Sequence, residues 1–267
     1  MFAGGGNRCL WQAGFYRVVA DALGIVPVCI AAASAGAAVA AALFAGRADM
    51  ALSLFKRATA TNRRNVRVAN LFSREPMFPH AEIYRRTLLE IIDADALAKL
   101  HSGPDFHVPI TRAPWWLGPR SGFAVAGLVG AIERVFDAPV HSPVASWIGY
   151  RADYATVSNC RTPEALADLV LASSCTPPFT PLLRYGGRPA LDGGIVDNVP
   201  TAALRDTSGS TLVLLTRRYS RLPAHAACVY VQPSTDVPIA LWDYTNPGGL
   251  QAAYDLGRRD GDGFVSR

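Results

Sequence analysis

Three short segments of this chain carry residues whose types and spacing can do chemistry together. The first is Ala32-Ala33-Ser34-Ala35-Gly36, one residue away from the G-x-S-x-G nucleophile elbow, with Ala32 where the first Gly would stand. An elbow holds a serine hydroxyl on a strained strand-to-helix turn, and small residues two positions either side are needed because helix and strand nearly touch there. The hydroxyl then sits at a helix N-terminus, where the dipole and free N–H groups favour developing negative charge. The second segment is Gly4-Gly5-Gly6-Asn7-Arg8. Three glycines let backbone N–H groups converge on one point, as an oxyanion hole requires and as a phosphate cradle also requires. The dinucleotide version fails on detail, since Cys9 stands where the last Gly of G-x-G-x-x-G belongs and no Gly-Lys-Ser/Thr occurs. The third is Leu191-Asp192-Gly193-Gly194, running on through Asp197 and Asn198 to Pro200. An Asp on a glycine turn is by itself ordinary turn chemistry; here it comes in one chain with the other two segments.

Taken in this order, the three segments resemble the patatin-like phospholipases. That family's pattern is a Gly-Gly-Gly-x-Arg/Lys-Gly oxyanion loop, a G-x-S-x-G elbow and a late Asp-Gly-Gly/Ala. The resemblance extends to the run Leu171 to Pro181, like the family's segment before the base, and to Asn198-Val199-Pro200. It covers most of residues 3 to 200 and, more loosely, the closing strands and a helix from Leu250 to Arg259. It implies a three-layer α/β/α fold with a mostly parallel central sheet, and a Ser-Asp dyad with no histidine. Asp192 would accept the proton of Ser34, and the loop Gly4, Gly5, Gly6 and Arg8 would form the oxyanion hole, with the Gly5 and Gly6 amides at its centre. Ala32 and Gly36 would shape the elbow and Gly193 and Gly194 the turn of the base. The implied substrate is a lipid carboxylic ester, cleaved without a cofactor. This sequence departs from the pattern at Ala32 and at Cys9. Only three residues precede the glycine loop, so the first strand reads as short, and a translation start placed downstream of the true one would account for that.

Elements of the right kind surround these segments. Leu10, Trp11, Phe15, Val18, Val19 and Leu23 recur at helical spacing after the glycine loop. Val26 to Ala32 reads as a buried strand, and Gly36 to Phe44 as a helix of small residues packed tightly on a sheet. Ala81 to Leu100 reads as one helix, and His107 to Thr111 as a strand. Tyr154 to Ser158 follows as another strand, then a helix over Pro163 to Leu171 with Thr162 as cap and Pro163 at its first position. Leu212 to Leu215 and Cys228 to Val231 are further apolar strands. Strands alternating with helices predict a mostly parallel sheet covered on both faces. No composition break marks a second domain, so 1–267 reads as one, with residues 101–150, rich in Pro and Gly around Trp115 and Trp116, as a cap or interfacial insertion.

Composition narrows the alternatives. The net charge of +5 favours anionic surfaces, but the one basic cluster, Arg57, Arg63, Arg64 and Arg67, has no interleaved aromatic residues, which argues against nucleic acid. Five widely spaced cysteines and five scattered histidines give neither a disulfide framework nor a metal-ligand spacing, so no metal is expected. With no export signal, cytoplasmic residence follows, with peripheral membrane contact. The uncharged stretch 22–46 is long enough to span a membrane, but Pro27 and its Ala and Gly content favour a strand and a helix. Trp115, Trp116, Leu117 and Phe123 beside Arg112 and Arg120 predict an interfacial surface, backed by a helix carrying Val125, Leu128, Val129, Ile132, Val135 and Phe136; core packing is the alternative for both. Two rival functions remain at this point. The chain order Ser34, Asp192, His225 fits an ordinary hydrolase triad, and a non-catalytic lipid-binding module fits the same fold.

Overall fold

The three residues ahead of the glycine loop lie in the middle of a sheet. In the computed structural model, which describes residues 1–68, 70, 76–135, 138–204 and 209–266, Phe2 makes parallel bridges to Ala32 on one side and Leu214 on the other. The Phe2 N–H donates to Ala31 O at 2.9 Å and the Ala3 N–H to Leu214 O at 3.0 Å. Short as it is, this segment anchors the glycine loop to two neighbours at once.

After the loop and a 3-10 turn, Gly6–Cys9, comes α1 (Leu10–Leu23), ended by Gly24 in the left-handed conformation. Next are β1 (Cys29–Ala31), α2 (Ala35–Phe44), α3 (Ala48–Thr61), α4 (His80–Ile91) and α5 (Ala94–His101). Then follow β2 (Asp105–Arg112), α6 (Pro119–Val135), α7 (Val144–Ile148), β3 (Arg151–Thr156) and α8 (Pro163–Ser173). The chain closes with a small hairpin, β4 (Arg184–Tyr185) and β5 (Arg188–Pro189), then β6 (Thr211–Leu214), β7 (Cys228–Val231) and α9 (Pro247–Val265). The fold is mixed α/β. β1 pairs with β2 and β6 with β7 in parallel, while β2 and β3 pair antiparallel over six residues, His107 opposite Thr156 through Arg112 opposite Arg151.

The stretch 22–46 divides as the end of α1, a loop, β1 and α2, and no described helix is long and apolar enough to cross a membrane. In α2, Ala37, Ala40 and Ala41 are fully buried, the small side chains letting the helix sit close on its neighbours. The core joins this helix to Trp11, Phe15 and Val19 of α1, to Leu88 and Ile91 of α4, and to Leu166, Leu169 and Val170 of α8. α9 packs along α1, where the Trp11 indole N–H donates to Asp260 at 2.7 Å.

Several sequence expectations need correction. The strand expected from Val26 begins at Cys29, with Val26 and Val28 exposed, because pairing with β2 starts only at Cys29 opposite Asp105. The single helix over Ala81 to Leu100 is two: Ile92 and Asp93 are extended, and the Asp93 carboxylate caps α5 by accepting from the Ala96 N–H at 2.8 Å while pairing with Arg47. β3 runs Arg151–Thr156, and Val157 and Ser158 belong to a 3-10 turn instead. Arg112 is not an interfacial cation, for it is buried, ion-paired with Asp153 at 2.8 Å and donating to the carbonyls of Tyr185, Arg188 and Pro189. Trp115 and Trp116 are exposed, so core packing does not account for them. Phe136 lies outside the described residues.

Candidate active site

Ser34 sits between β1 and α2 with φ +53° and ψ −132°, the one non-glycine residue with positive φ among the described residues. Such a backbone is strained for any residue with a Cβ and persists only when its surroundings over-determine it. Here they do. The Ser34 N–H donates to Ser173 Oγ at 3.0 Å, and Ser173 Oγ in turn donates to Pro109 O at 2.7 Å. Just before it the Ala32 N–H donates to His107 O, and the Ala33 N–H to Phe2 O. Just after it, Gly36 lies so close to the first strand that a Cβ there would come within 2.6 Å of Ala3 O. Ala32, at the family's other small position, is fully buried in the sheet with its methyl accommodated.

Asp192 arrives from the far end of the sequence. Leu191 and Thr111 exchange both backbone hydrogen bonds at the end of β2, at 3.1 and 3.0 Å, and the Asp192 N–H donates to Cys175 O at 2.9 Å. Its Oδ1 accepts from the Gly194 N–H at 2.8 Å, inside a short turn that begins at the buried Gly193. Its Oδ2 accepts from Ser34 Oγ at 2.7 Å. Withdrawal from water pushes the Asp192 carboxyl up to about 6, only partly offset by the hydrogen bonds from Ser34 and Gly194, which favour the charged form.

The glycine loop borders the same space. Gly4 O accepts from Thr216 Oγ1 at 2.7 Å and from Asn198 Nδ2 at 3.1 Å, and the Gly4 N–H donates to Asn198 O. On the loop's other side the Asn7 N–H donates to Leu241 O at 3.1 Å, and Arg8 Nε donates to Ile239 O. Among the described residues no protein acceptor takes the N–H of Gly5 or Gly6, which leaves both for a ligand. Gln12, fully buried in α1, donates to both Ala3 O and Leu214 O, fastening the start of the loop. Cys9 is a buried thiol, its Sγ 3.6 Å from Ala3 O and its pKa pushed far up by burial, which suits a small space-filler packed beside the loop.

Ser34, Asp192, Gly194 and the loop Gly4, Gly5, Gly6 and Arg8 all border one cavity of about 340 Å³. Phe123, Ala126 and Val129 of α6 form one apolar wall, and Phe179 stacked on Trp242 at 4.8 Å forms another. Arg217, stacked 4.3 Å above the Tyr219 ring, adds a cation. The lining therefore combines apolar walls with polar and charged groups, Glu133, Asp197 and Arg217 among them, around Ser34 and Asp192. His225 is elsewhere. It is exposed at the approach to β7, where its Nδ1 accepts from the Ala227 N–H, and it does not border the cavity. Among the described residues no group of three or more His, Cys, Asp or Glu is placed to hold a metal ion.

The patatin-like phospholipase family model matches residues 1–205. The chain belongs to the patatin-like phospholipase family. Members of this family act in general as lipid acyl hydrolases on carboxylic esters. No match was found among the curated proteins. This patatin-like chain draws part of its cavity wall, Thr216, Arg217, Leu241 and Trp242, from beyond the matched segment. Three supports were not identified by reading the sequence. Ser173 and Asn198 lie inside the runs that carry the family resemblance, but nothing in those runs says that one bonds the serine amide and the other Gly4. Thr216 follows β6, stands 212 positions from the glycine it holds, and carries no sequence signal at all.

Proposed function

We propose that this chain is a serine acyl hydrolase that cleaves lipid esters with a Ser34–Asp192 dyad, on a single three-layer α/β/α domain. The observation that carries the reading is the 2.7 Å hydrogen bond from Ser34 Oγ to Asp192 Oδ2, made by the one strained non-glycine backbone among the described residues. Asp192 takes the Ser34 proton as Oγ attacks the ester carbonyl carbon, and the Gly5 and Gly6 amides hold the oxyanion that forms. Collapse of the tetrahedral intermediate breaks the bond to the alcohol, which leaves with the proton from Asp192. Water then attacks the acyl-Ser34 carbonyl, giving its proton to Asp192, and the freed acid leaves as Ser34 regains a proton.

A fluorophosphonate tests this directly. It should label Ser34 in folded protein and not the Ser34→Ala variant, and hydrolysis of a lipid panel should vanish in that variant. Absence of labelling in folded wild type would instead favour a non-catalytic lipid-binding module.

Because the base must be ionised, kcat/KM for a soluble ester should rise through an apparent pKa near 6 and fall about tenfold per pH unit below it. A profile flat from pH 5 to 8 would remove Asp192 as the base.

The same burial makes Asp192 a cost to the fold at neutral pH. Its carboxyl is raised from an ordinary 3.8 to about 6, so the stabilising effect of protonation is fully present below 3.8 and lost as pH rises through 6. The difference is worth about 3 kcal/mol. Asp192→Asn keeps an acceptor for the Gly194 N–H without the buried charge. It should therefore unfold at higher denaturant than wild type at pH 8, with the gap closing toward pH 4. An Asn variant less stable than wild type at pH 8 would contradict the assignment of the shift to burial.

A further inference from the structure

The helix that walls the cavity has a second apolar face that is exposed among the described residues. Phe123, Ala126 and Val129 of α6 point to the cavity, while Leu128, Ile132 and Val135, spaced four and three residues apart, are exposed. Two tryptophans precede α6 in the turn after Pro114, Trp115 95% exposed and Trp116 58%, and a third, Trp147 on α7, is 79% exposed. The other two tryptophans of the chain, Trp11 and Trp242, are core and cavity wall, so the exposed tryptophans are confined to this part of the fold. Its pieces are packed together. Tyr150 donates to Gly122 O within α6, Ala126 and Ala145 share a small core with Tyr150 and Leu191, and Gly149 lies against Pro114.

We infer that this surface, Trp115, Trp116, Trp147 and the outer face of α6, seats the enzyme on an anionic phospholipid bilayer with the cavity opening beside it. Indole rings favour the boundary between headgroups and acyl chains, where one edge is wet and the body apolar. A helix apolar on both sides suits a wall that faces a site for acyl chains on one side and lipid on the other. Charge agrees. Arg120 at the start of α6 and Arg151 just after α7 are exposed and the net charge is +5, while Glu133 borders the cavity and Asp153, two residues beyond Arg151, is ion-paired with Arg112 and Arg188. The inference rests on the acyl-hydrolase reading for its substrate, while attachment itself is measurable without turnover.

The test uses phosphatidylcholine vesicles with and without phosphatidylglycerol. Ser34→Ala protein, which leaves the lipid intact, should sediment with the mixed vesicles, and adding Trp115→Ala, Trp116→Ala and Trp147→Ala together should lower that partition about tenfold or more. In the Ser34 enzyme the same three changes should slow hydrolysis of vesicle ester about tenfold and spare a soluble short-chain ester and the melting temperature. Arg120→Gln with Arg151→Gln should remove the preference for phosphatidylglycerol. Unchanged partition in the tryptophan variant overturns the inference. So does a wild-type dimer in sedimentation that the tryptophan changes dissociate, since a second copy then occupies the face. Vesicle binding that depends on the tryptophans, in a protein that neither hydrolyses soluble ester nor reacts with fluorophosphonate, sinks the hydrolase reading and leaves this one standing.

Discussion

Ser34→Ala and Asp192→Asn should each lower kcat/KM for a soluble ester by about 10⁴-fold or more, while His225→Ala stays within a few fold of wild type. In the proposed mechanism, removing Oγ leaves nothing to form the acyl-enzyme, and removing the carboxylate leaves the hydroxyl with no acceptor for its proton, since Asp192 Oδ2 is the group Ser34 Oγ donates to. The two losses should not add in the double variant, because both remove the same step. His225 is exposed and already engaged with the Ala227 N–H, away from the cavity. Circular dichroism melts of the three variants complete the experiment. Loss of several orders of magnitude in the His225 variant would establish a triad in place of the dyad, and a collapse of folding in the Ser34 variant would make its inactivity uninformative about chemistry.

Gly5→Val should reduce kcat about 100-fold or more with KM little changed, because in the proposed mechanism the loop acts on the oxyanion of the transition state and not on the bound ester. A Cβ at Gly5 would run into the side chain of Thr216, whose Oγ1 holds Gly4 O at 2.7 Å. Either Thr216 swings away and releases Gly4, or the loop moves off it, and in both cases the Gly5 and Gly6 amides lose their aim. Gly263→Ala serves as the comparison, since a Cβ there meets nothing within 4 Å and Ala is the better helix former in α9. Michaelis kinetics on one soluble ester separate kcat from KM. Undiminished turnover in Gly5→Val would reduce the glycine run to an ordinary turn and move the oxyanion site elsewhere.

Local chemistry explains which parts of this protein were legible from sequence. The elbow, the glycine loop and the Asp-Gly-Gly turn are each specified by residues next to one another, so their types alone carry the constraint: small residues where backbones nearly touch, glycine where N–H groups must converge, a carboxylate on a tight turn. The same holds for the start of α8. Thr162 and Pro163 mark it in the sequence, and in the structure the Thr162 hydroxyl accepts from the Ala165 N–H at 3.2 Å with Pro163 in the first turn.

Tertiary structure decided everything that depends on a partner far along the chain. Asp192 and Ser34 are 158 positions apart, and only the pairing of Leu191 with Thr111 at the end of β2 brings the carboxylate to the elbow. The raised Asp192 carboxyl follows from burial, which residue order does not encode. Helix breaks went the same way: apolar periodicity runs on through Ile92 and Asp93, but the cap at Asp93 and its ion pair with Arg47 stop α4 and start α5. Arg112 and Trp115 show the limit most plainly, standing close together in a segment that reads as one interfacial patch. The strand carries Arg112 into the fold, where Asp153 and three carbonyls satisfy it, and the turn after Pro114 carries Trp115 out. Side-chain type sets what a residue can do, but the direction in which the backbone presents it is set by the sheet and turns that long-range pairing builds.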